Sequence, residues 1–418
     1  MINHDVIIIG AGLAGLTAAY NLAKEEVDVK VFDRLPKSGI LDHPCGCMVS
    51  PVPNSITFKN SSEGILYKEV DFLFTEDMIL EYPGKMEFIM PNGCKFGMAI
   101  ENPQDEQIFQ IDKEKVLIEL AERAEREGAQ LEYGTNVSKL LIEKGQVKGI
   151  LASGQQVRSH LVLSGEGLSR RFSYQAGLFD SDPEAYIFSY AVHLLDLHLK
   201  KEEIGQIGYF GENLVQIPKS SVIFHSYGDD KALILISVLL DEYKWFFDKS
   251  VEEYLLNAIS KVPFLEEIYK RGKAYEKNAC WMKIAKPKKL VDHGFIGMGD
   301  SVAPLGHSSN SIAMLMGKEA ANTAIEALQT QDYSYSALKS YNKWLESDLF
   351  GGVEFEAKLI MTLLNFSDSD LNKICNAFEG INLEPFFIGS RWDIIKASLK
   401  LLFKKRILKN WKLIRQLF

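Results

Sequence analysis

Gly10-Ala11-Gly12-Leu13-Ala14-Gly15 constrains the fold of this chain more than any other segment. It follows Asp5-Val6-Ile7-Ile8-Ile9, a β-branched run that reads as a buried parallel strand. Residues 16–24 then have helical spacing, and residues 29–32 read as a second strand. The chain therefore opens with a βαβ unit. In such a unit the glycines permit a tight turn, close backbone approach to a pyrophosphate and close helix–strand packing. The helix N-terminus offers free N–H groups and the positive end of its dipole to the phosphates. Asp33 stands 18 residues beyond Gly15, at the end of the second strand, where a carboxylate accepts hydrogen bonds from a ribose.

Further along, residues 113–128 predict a charged amphipathic helix with a glycine stop. Residues 130–141, 147–151 and 160–163 predict strands. So do 187–197 and 232–240, and nothing between them resembles a βαβ repeat, so a second, antiparallel sheet is expected. Residues 294–298 read as another buried strand, and 305–328 as a loop feeding a helix. The expected fold is α/β plus α+β: a Rossmann-like dinucleotide domain interleaved with an antiparallel-sheet substrate domain, and a helical C-terminus. The dinucleotide domain is assigned to 1–75, 105–175 and 276–345, the substrate domain to 76–104 and 176–275, and the helical region to 346–418.

The net charge of −9 argues against a nucleic-acid partner. Five cysteines, Cys45, Cys47, Cys94, Cys280 and Cys375, are too few and too scattered for a disulfide framework, so a reducing, cytoplasmic location is expected. The first strand begins within five residues of the start, which predicts no leader. The apolar stretch near 232–240 falls far short of the roughly 20 residues that span a bilayer. Charge is unevenly placed: residues 391–418 carry six Lys and three Arg against Asp393, or +8, which leaves −17 on the rest.

Three segments narrow the cofactor by resemblance. Gly297-Met298-Gly299-Asp300 resembles the GD motif of FAD-dependent enzymes of the p-hydroxybenzoate hydroxylase fold, in which the aspartate binds the ribityl chain. Read alone, Asp300 is also a plausible helix N-cap. Ala313-Met314-Leu315-Met316-Gly317-Lys318-Glu319-Ala320-Ala321 resembles the helix that follows that motif. Ser164-Gly165-Glu166-Gly167-Leu168-Ser169 resembles the DG motif, with Glu166 where Asp is usual. The resemblance implies FAD, contacted by Gly10, Gly12, Leu13, Ala14, Gly15, Asp33, Arg34, Val137, Glu166, Gly167, Gly299 and Asp300.

His43-Pro44-Cys45-Gly46-Cys47-Met48 resembles the PCGG segment of geranylgeranyl reductases, flavoenzymes that saturate isoprenoid double bonds. That resemblance sets Pro44, Cys45, Gly46 and Cys47 against the flavin ring, Cys47 replacing a glycine, and Lys113 where the family's arginine contacts FAD. Buried structural thiols or a redox pair are the other readings of these cysteines; no metal site is expected. The usual glycine-rich flavin loop is here Pro304-Leu305-Gly306-His307-Ser308-Ser309-Asn310, so His307, Ser308 and Asn310 become flavin or proton-handling candidates, and Ser309 and Asn310 are placed in the cofactor site. The family's aromatic substrate motif is not recognisable. The resemblance implies reduction of isoprenoid C=C bonds in geranylgeranyl membrane lipids, by hydride from reduced flavin and a proton from Cys45 or His307. No second glycine-rich turn follows a strand, so the external reductant is NAD(P)H in transient contact or a ferredoxin-type protein. An FAD-dependent monooxygenase is the alternative, and a non-catalytic electron-transfer flavoprotein the third reading.

Trp392, Ile395, Leu399, Leu402, Phe403, Ile407, Trp411, Ile414 and Phe418 recur at helical spacing among six lysines. Such a tail predicts a basic amphipathic helix over 391–418 that lies in an anionic membrane surface, or else packs on the acidic body.

Overall fold

The computed structural model describes residues 2–416 apart from 53–54, 100–101, 103, 105–106, 181, 304–308, 346–357, 388–395, 398 and 402–403. Strand β1 (His4–Ile9), helix α1 (Leu13–Lys24) and strand β2 (Val29–Phe32) form the predicted opening unit. Val6 to Ile9 are buried in one core with Leu16, Leu120, Leu163, Ile296 and Met316. Its parallel part runs in the order Gln130–Glu132, β2, β1, Gln155–Ser164, Phe295–Gly297. The long strand Gln155–Ser164 has a double duty. Its second half pairs with β1, and its first half pairs antiparallel with Gln146–Ala152, which continues to Val137–Glu143. Helix α2 (Lys113–Arg126) starts where predicted, capped by Asp112 through the Lys115 N–H at 3.2 Å. Helix Asn310–Thr330 lies so close to α1 that a Cβ at Gly317 would stand 2.2 Å from the Ala14 carbonyl oxygen.

The second sheet has seven strands, in the order Lys273–Ile284, Ala185–Leu195, Lys231–Leu240, Ser220–Tyr227, Gln206–Phe210, Lys85–Ile89, Lys95–Ala99. It is antiparallel except where Gln206–Phe210 runs parallel to Lys85–Ile89. Strand Lys273–Ile284 pairs along its length with Ala185–Leu195, so this sheet reaches Ile284 rather than stopping at 275. One side of the sheet packs on helices Val251–Lys261 and Pro263–Arg271 through Phe224, Ile234, Ile236, Leu255, Ile259, Leu265 and Ile268. A small sheet, Met48–Val49, Phe109–Ile111 and Ile79–Glu81, joins the two larger ones.

Two expectations change. Cys94 and Cys375, 281 residues apart, are joined by a disulfide that ties the hairpin before Lys95–Ala99 to helix Asp368–Phe378. The chain is therefore not wholly reduced; a separation of that length left no local signal in the sequence. The tail is not one continuous helix either: its described part breaks at Asn410 between Lys405–Lys409 and Trp411–Ile414. Leu401, Ile407 and Ile414 are buried with Leu363, Ile374 and Phe378, whereas Leu399, Leu408 and Trp411 are exposed. Among the described residues no helix is long and apolar enough to cross a membrane.

Candidate active site

The glycine turn is sterically determined. A Cβ at Gly15 would lie 1.8 Å from the Gly10 carbonyl oxygen, and one at Gly10 (φ +98°) 2.3 Å from that of Gly165. At Gly12 a Cβ would meet nothing within 4 Å, so the space in front of α1 is open. Gly12 provides no side-chain cap and the first turn carries no acid, although Leu13 and Ala14 are buried. Those N–H groups need an acceptor from outside the helix, and a pyrophosphate fits both the open space and the dipole. The Asp33 carboxylate accepts from the Ala11 N–H at 2.6 Å and the Leu35 N–H at 2.7 Å, which holds it beside the turn. Gly299 (φ +61°) packs against Ala14, with Asp300 next to it. These residues fit FAD.

Other predicted contacts are occupied within the protein. The half-buried Glu166 carboxylate accepts from the Ser169 hydroxyl (2.6 Å) and from the Phe172 and Ser173 N–H groups (2.7 and 2.9 Å). It thereby caps the short helix Arg171–Gln175, and burial pushes its carboxyl up despite those bonds. Gly167 (φ +68°) follows it in the left-handed region. The Val137 carbonyl accepts from the Arg171 guanidinium, and Arg34, largely exposed, pairs with Asp42. Arg170 had no signal in the sequence. It is fully buried and donates to the carbonyls of Asp300 (3.0 Å), Ala285 (3.1 Å) and Ala303, fixing the turn that holds Asp300. Burial lowers its guanidinium to about 10, still charged at neutral pH.

The Pro44-Cys45-Gly46-Cys47 loop meets α2, the small sheet and the second sheet. Lys113 Nζ lies 3.4 Å from Cys45 Sγ, and the Cys47 N–H donates to the same sulfur at 3.4 Å. The Cys47 thiol, the half-buried Lys113 ammonium and His43 together hold the Cys45 thiol well below its usual range, against the effect of burial. Cys47 is driven the opposite way by the Cys45 sulfur and by burial. Burial alone would lower Lys113, but Cys45, Cys47 and Asp300 outweigh it and raise its ammonium. Asn310, predicted beside the flavin, donates from Nδ2 to the Met48 carbonyl at 2.8 Å, with Oδ1 3.9 Å from Cys45 Sγ. Ser309 caps helix Asn310–Thr330 through the Ile312 N–H. His307 and Ser308 lie outside the described residues.

The second sheet contributes residues that sequence reasoning missed. The Tyr227 hydroxyl donates to the Cys45 carbonyl. The His225 ring fills the space next to Gly46, where a Cβ would stand 3.1 Å from its Cε1. Gln110 Nε2 donates to the Gly46 carbonyl at 3.2 Å. The signal available was polar: His225-Ser226-Tyr227 follows the apolar run Val222-Ile223-Phe224. A cleft beside this loop is lined by Met48, Met86, Met98, Ile108, Gln110 and Gln206.

Comparison with known proteins agrees with this geometry. Residues 5–166 match the family model of the glucose inhibited division protein A. A digeranylgeranylglycerophospholipid reductase of Methanosphaerula palustris is 24% identical, over 97% of this chain and 98% of that protein. Digeranylgeranylglycerophospholipid reductase 1 of Methanococcoides burtonii is 26% identical, over 98% and 96%. This chain resembles the geranylgeranyl reductases throughout its length. The geranylgeranyl bacteriochlorophyll reductase-like protein of Thermoplasma acidophilum superposes with a TM-score of 0.78 at 19% identity, covering 99% of this chain and 100% of that one. A halogenase solved with phloroglucinol and FAD gives 0.65 at 12% identity, over 99% and 94%. The chain thus shares the fold of these two structures, with two interleaved sheets.

Proposed function

We propose that this chain is an FAD-dependent reductase that saturates isoprenoid C=C bonds of geranylgeranyl membrane lipids. The observation that carries the reading is the match to the digeranylgeranylglycerophospholipid reductases over both sheets, since it includes the FAD turn and the cleft side alike. FAD, when bound, supplies the hydride. Gly10, Gly12, Gly15, Asp33, Gly299 and Asp300 would hold it, and the loop Pro44 to Cys47 with Asn310 would be the part of the site that handles the proton.

The second carbon of the alkene needs a proton. Cys45 beside Lys113 forms a thiolate–ammonium couple whose proton rests on Nζ, 3.4 Å from the sulfur. That couple holds a proton at the loop. Single-turnover rates with reduced FAD should fall in Cys45→Ala and in His307→Ala; wild-type rates in both variants would remove these two residues from proton supply.

The protein works as a peripheral protein at the cytoplasmic face of a membrane, supported by the exposed Leu399, Leu408 and Trp411 among tail lysines. Electrons arrive from NAD(P)H in transient contact or from a ferredoxin-type donor. The test is anaerobic: the flavin is reduced with dithionite, a geranylgeranylated glycerol phospholipid is added, and flavin reoxidation is followed with mass spectrometry of the lipid. Reoxidation with two hydrogens gained per double bond supports the reading. Flavin that stays reduced until air is admitted refutes it.

A further inference from the structure

Two rows of side chains face the cleft. In the second sheet the register aligns Met98, Met86, Gln206 and His225 across four strands. In the small sheet it aligns Met48, Gln110 and Glu81 across three. Residues directly opposite each other share a face of a sheet, and Met98, Met86, Gln206, Met48 and Gln110 all line the cleft. The methionines lie toward one end of the rows; Gln110 and His225 meet at Gly46, and Glu81 stands opposite Gln110 and holds the Ser226 hydroxyl next to His225. Glu81, Gln110 and His225 are each more than nine-tenths buried or at that limit, and Glu81 Oε2, Gln110 Oε1 and His225 Nδ1 have no hydrogen-bond partner within the protein. Three such atoms in one region are unusual, because buried polar atoms are nearly always paired. Polar sites of this kind take ordered water.

We propose that Glu81, Gln110 and His225 form a buried proton path that reloads the Cys45 site after each reduction. The inference rests on the reductase reading above and deepens it. Each saturated double bond consumes one proton at the loop. The proton leaves the Glu81 carboxylic acid, crosses water held at Gln110 Oε1, and is accepted at His225 Nδ1. The imidazole releases its Nε2 proton toward the Cys45 sulfur. Glu81 then regains a proton from solvent, so no net charge accumulates.

The electrostatics suit both ends. Burial, with Asp229 nearby, raises the Glu81 carboxyl to about 7, against the Ser226 hydroxyl at 2.5 Å and the Gly228 backbone, which lower it. Burial lowers His225 to about 4, against the Cys45 sulfur, so its ring is neutral and passes a proton only by gaining one at Nδ1 as it gives up the one at Nε2, without resting as an imidazolium. Glu81, Gln110 and His225 are positioning and relay groups, since none reaches the reacting carbons by this geometry.

Glu81→Gln keeps the size and the bond to Ser226 but removes the acid. Single-turnover reoxidation of the dithionite-reduced holoprotein by a geranylgeranylated phospholipid should slow in the wild type as pH rises through about 7. In Glu81→Gln it should be about tenfold slower and flat across that range. The infrared difference spectrum between pH below and above 7 should show a protonated carboxyl band in the wild type that Glu81→Gln lacks. A break near neutral pH that survives in Glu81→Gln, or a Glu81 already ionised below pH 7, overturns the path alone. Reduced flavin that the lipid reoxidises at no pH overturns the reductase reading itself, and the path with it.

Discussion

Lys113 Nζ lies 3.4 Å from Cys45 Sγ, across 68 residues of sequence. An ammonium so placed favours the thiolate. Lys113→Met keeps most of the aliphatic stem and removes the charge. The Cys45 thiol should then move up, though not fully to its ordinary value, because the Cys47 thiol still bonds it. Alkylation of Cys45 by iodoacetamide near neutral pH, mapped by mass spectrometry, should slow by about tenfold for each unit of that rise. An unmoved rate–pH profile would show that the ion pair does not form.

The glycine turn separates folding from cofactor binding. Gly15→Ala drives a Cβ into the Gly10 carbonyl at 1.8 Å, and backbone cannot step aside cheaply. It should destabilise even the apoprotein, by about 1–3 kcal/mol or more. Gly12→Ala meets nothing within 4 Å. Its apoprotein should unfold at the wild-type temperature, while flavin absorbance in the purified protein is largely lost. Equal FAD content in Gly12→Ala and wild type would remove the pyrophosphate from that space.

The βαβ opening was legible because glycine spacing, strand and helix are all local signals, and α2 because Asp112 and an amphipathic repeat mark it. The second sheet was legible as strands but not in its extent. Lys273–Ile284 is largely exposed over its first half and lacks the apolar alternation that flags a strand. Cys45, Lys113 and Asn310 were each singled out by motif, and the structure brings them together. Gln110, His225 and Tyr227 reach the same loop through tertiary register, and Glu81 stands behind Gln110, which no local spacing encodes. Glu166 kept the place of the DG aspartate, yet its longer side chain folds back to cap the helix behind it.

Glu81 also makes a stability prediction that is independent of turnover. Its carboxyl is raised from an ordinary 4.5 to about 7 in the folded protein. The folded state therefore binds the extra proton, so the contribution is fully present below about pH 4.5 and is lost as pH rises through 7. Above that, the ionised buried group costs up to about 3 kcal/mol. Glu81→Gln should match the wild type in urea unfolding near pH 5 and exceed it near pH 8. A constant difference at both would mean that Glu81 does not titrate between them.

The tail divides its apolar residues between two surfaces, and the two should respond differently. Ile407 and Ile414 are about 1% exposed within a core that includes Ile374 and Phe378, so Ile407→Ala should cost about 2–5 kcal/mol. Leu399, Leu408 and Trp411 are 53%, 56% and 43% exposed, so replacing all three with serine should leave unfolding nearly unchanged. If those three enter a lipid surface, the triple variant should lose much of its sedimentation with anionic vesicles. The residual, lysine-driven binding should fall steeply with salt, because surface charges are screened over about 10 Å at 0.1 M. A chain ended at Gly389 should lose both components. Sedimentation equal in all three proteins would assign the tail to packing alone, with its lysines solvated over an acidic body.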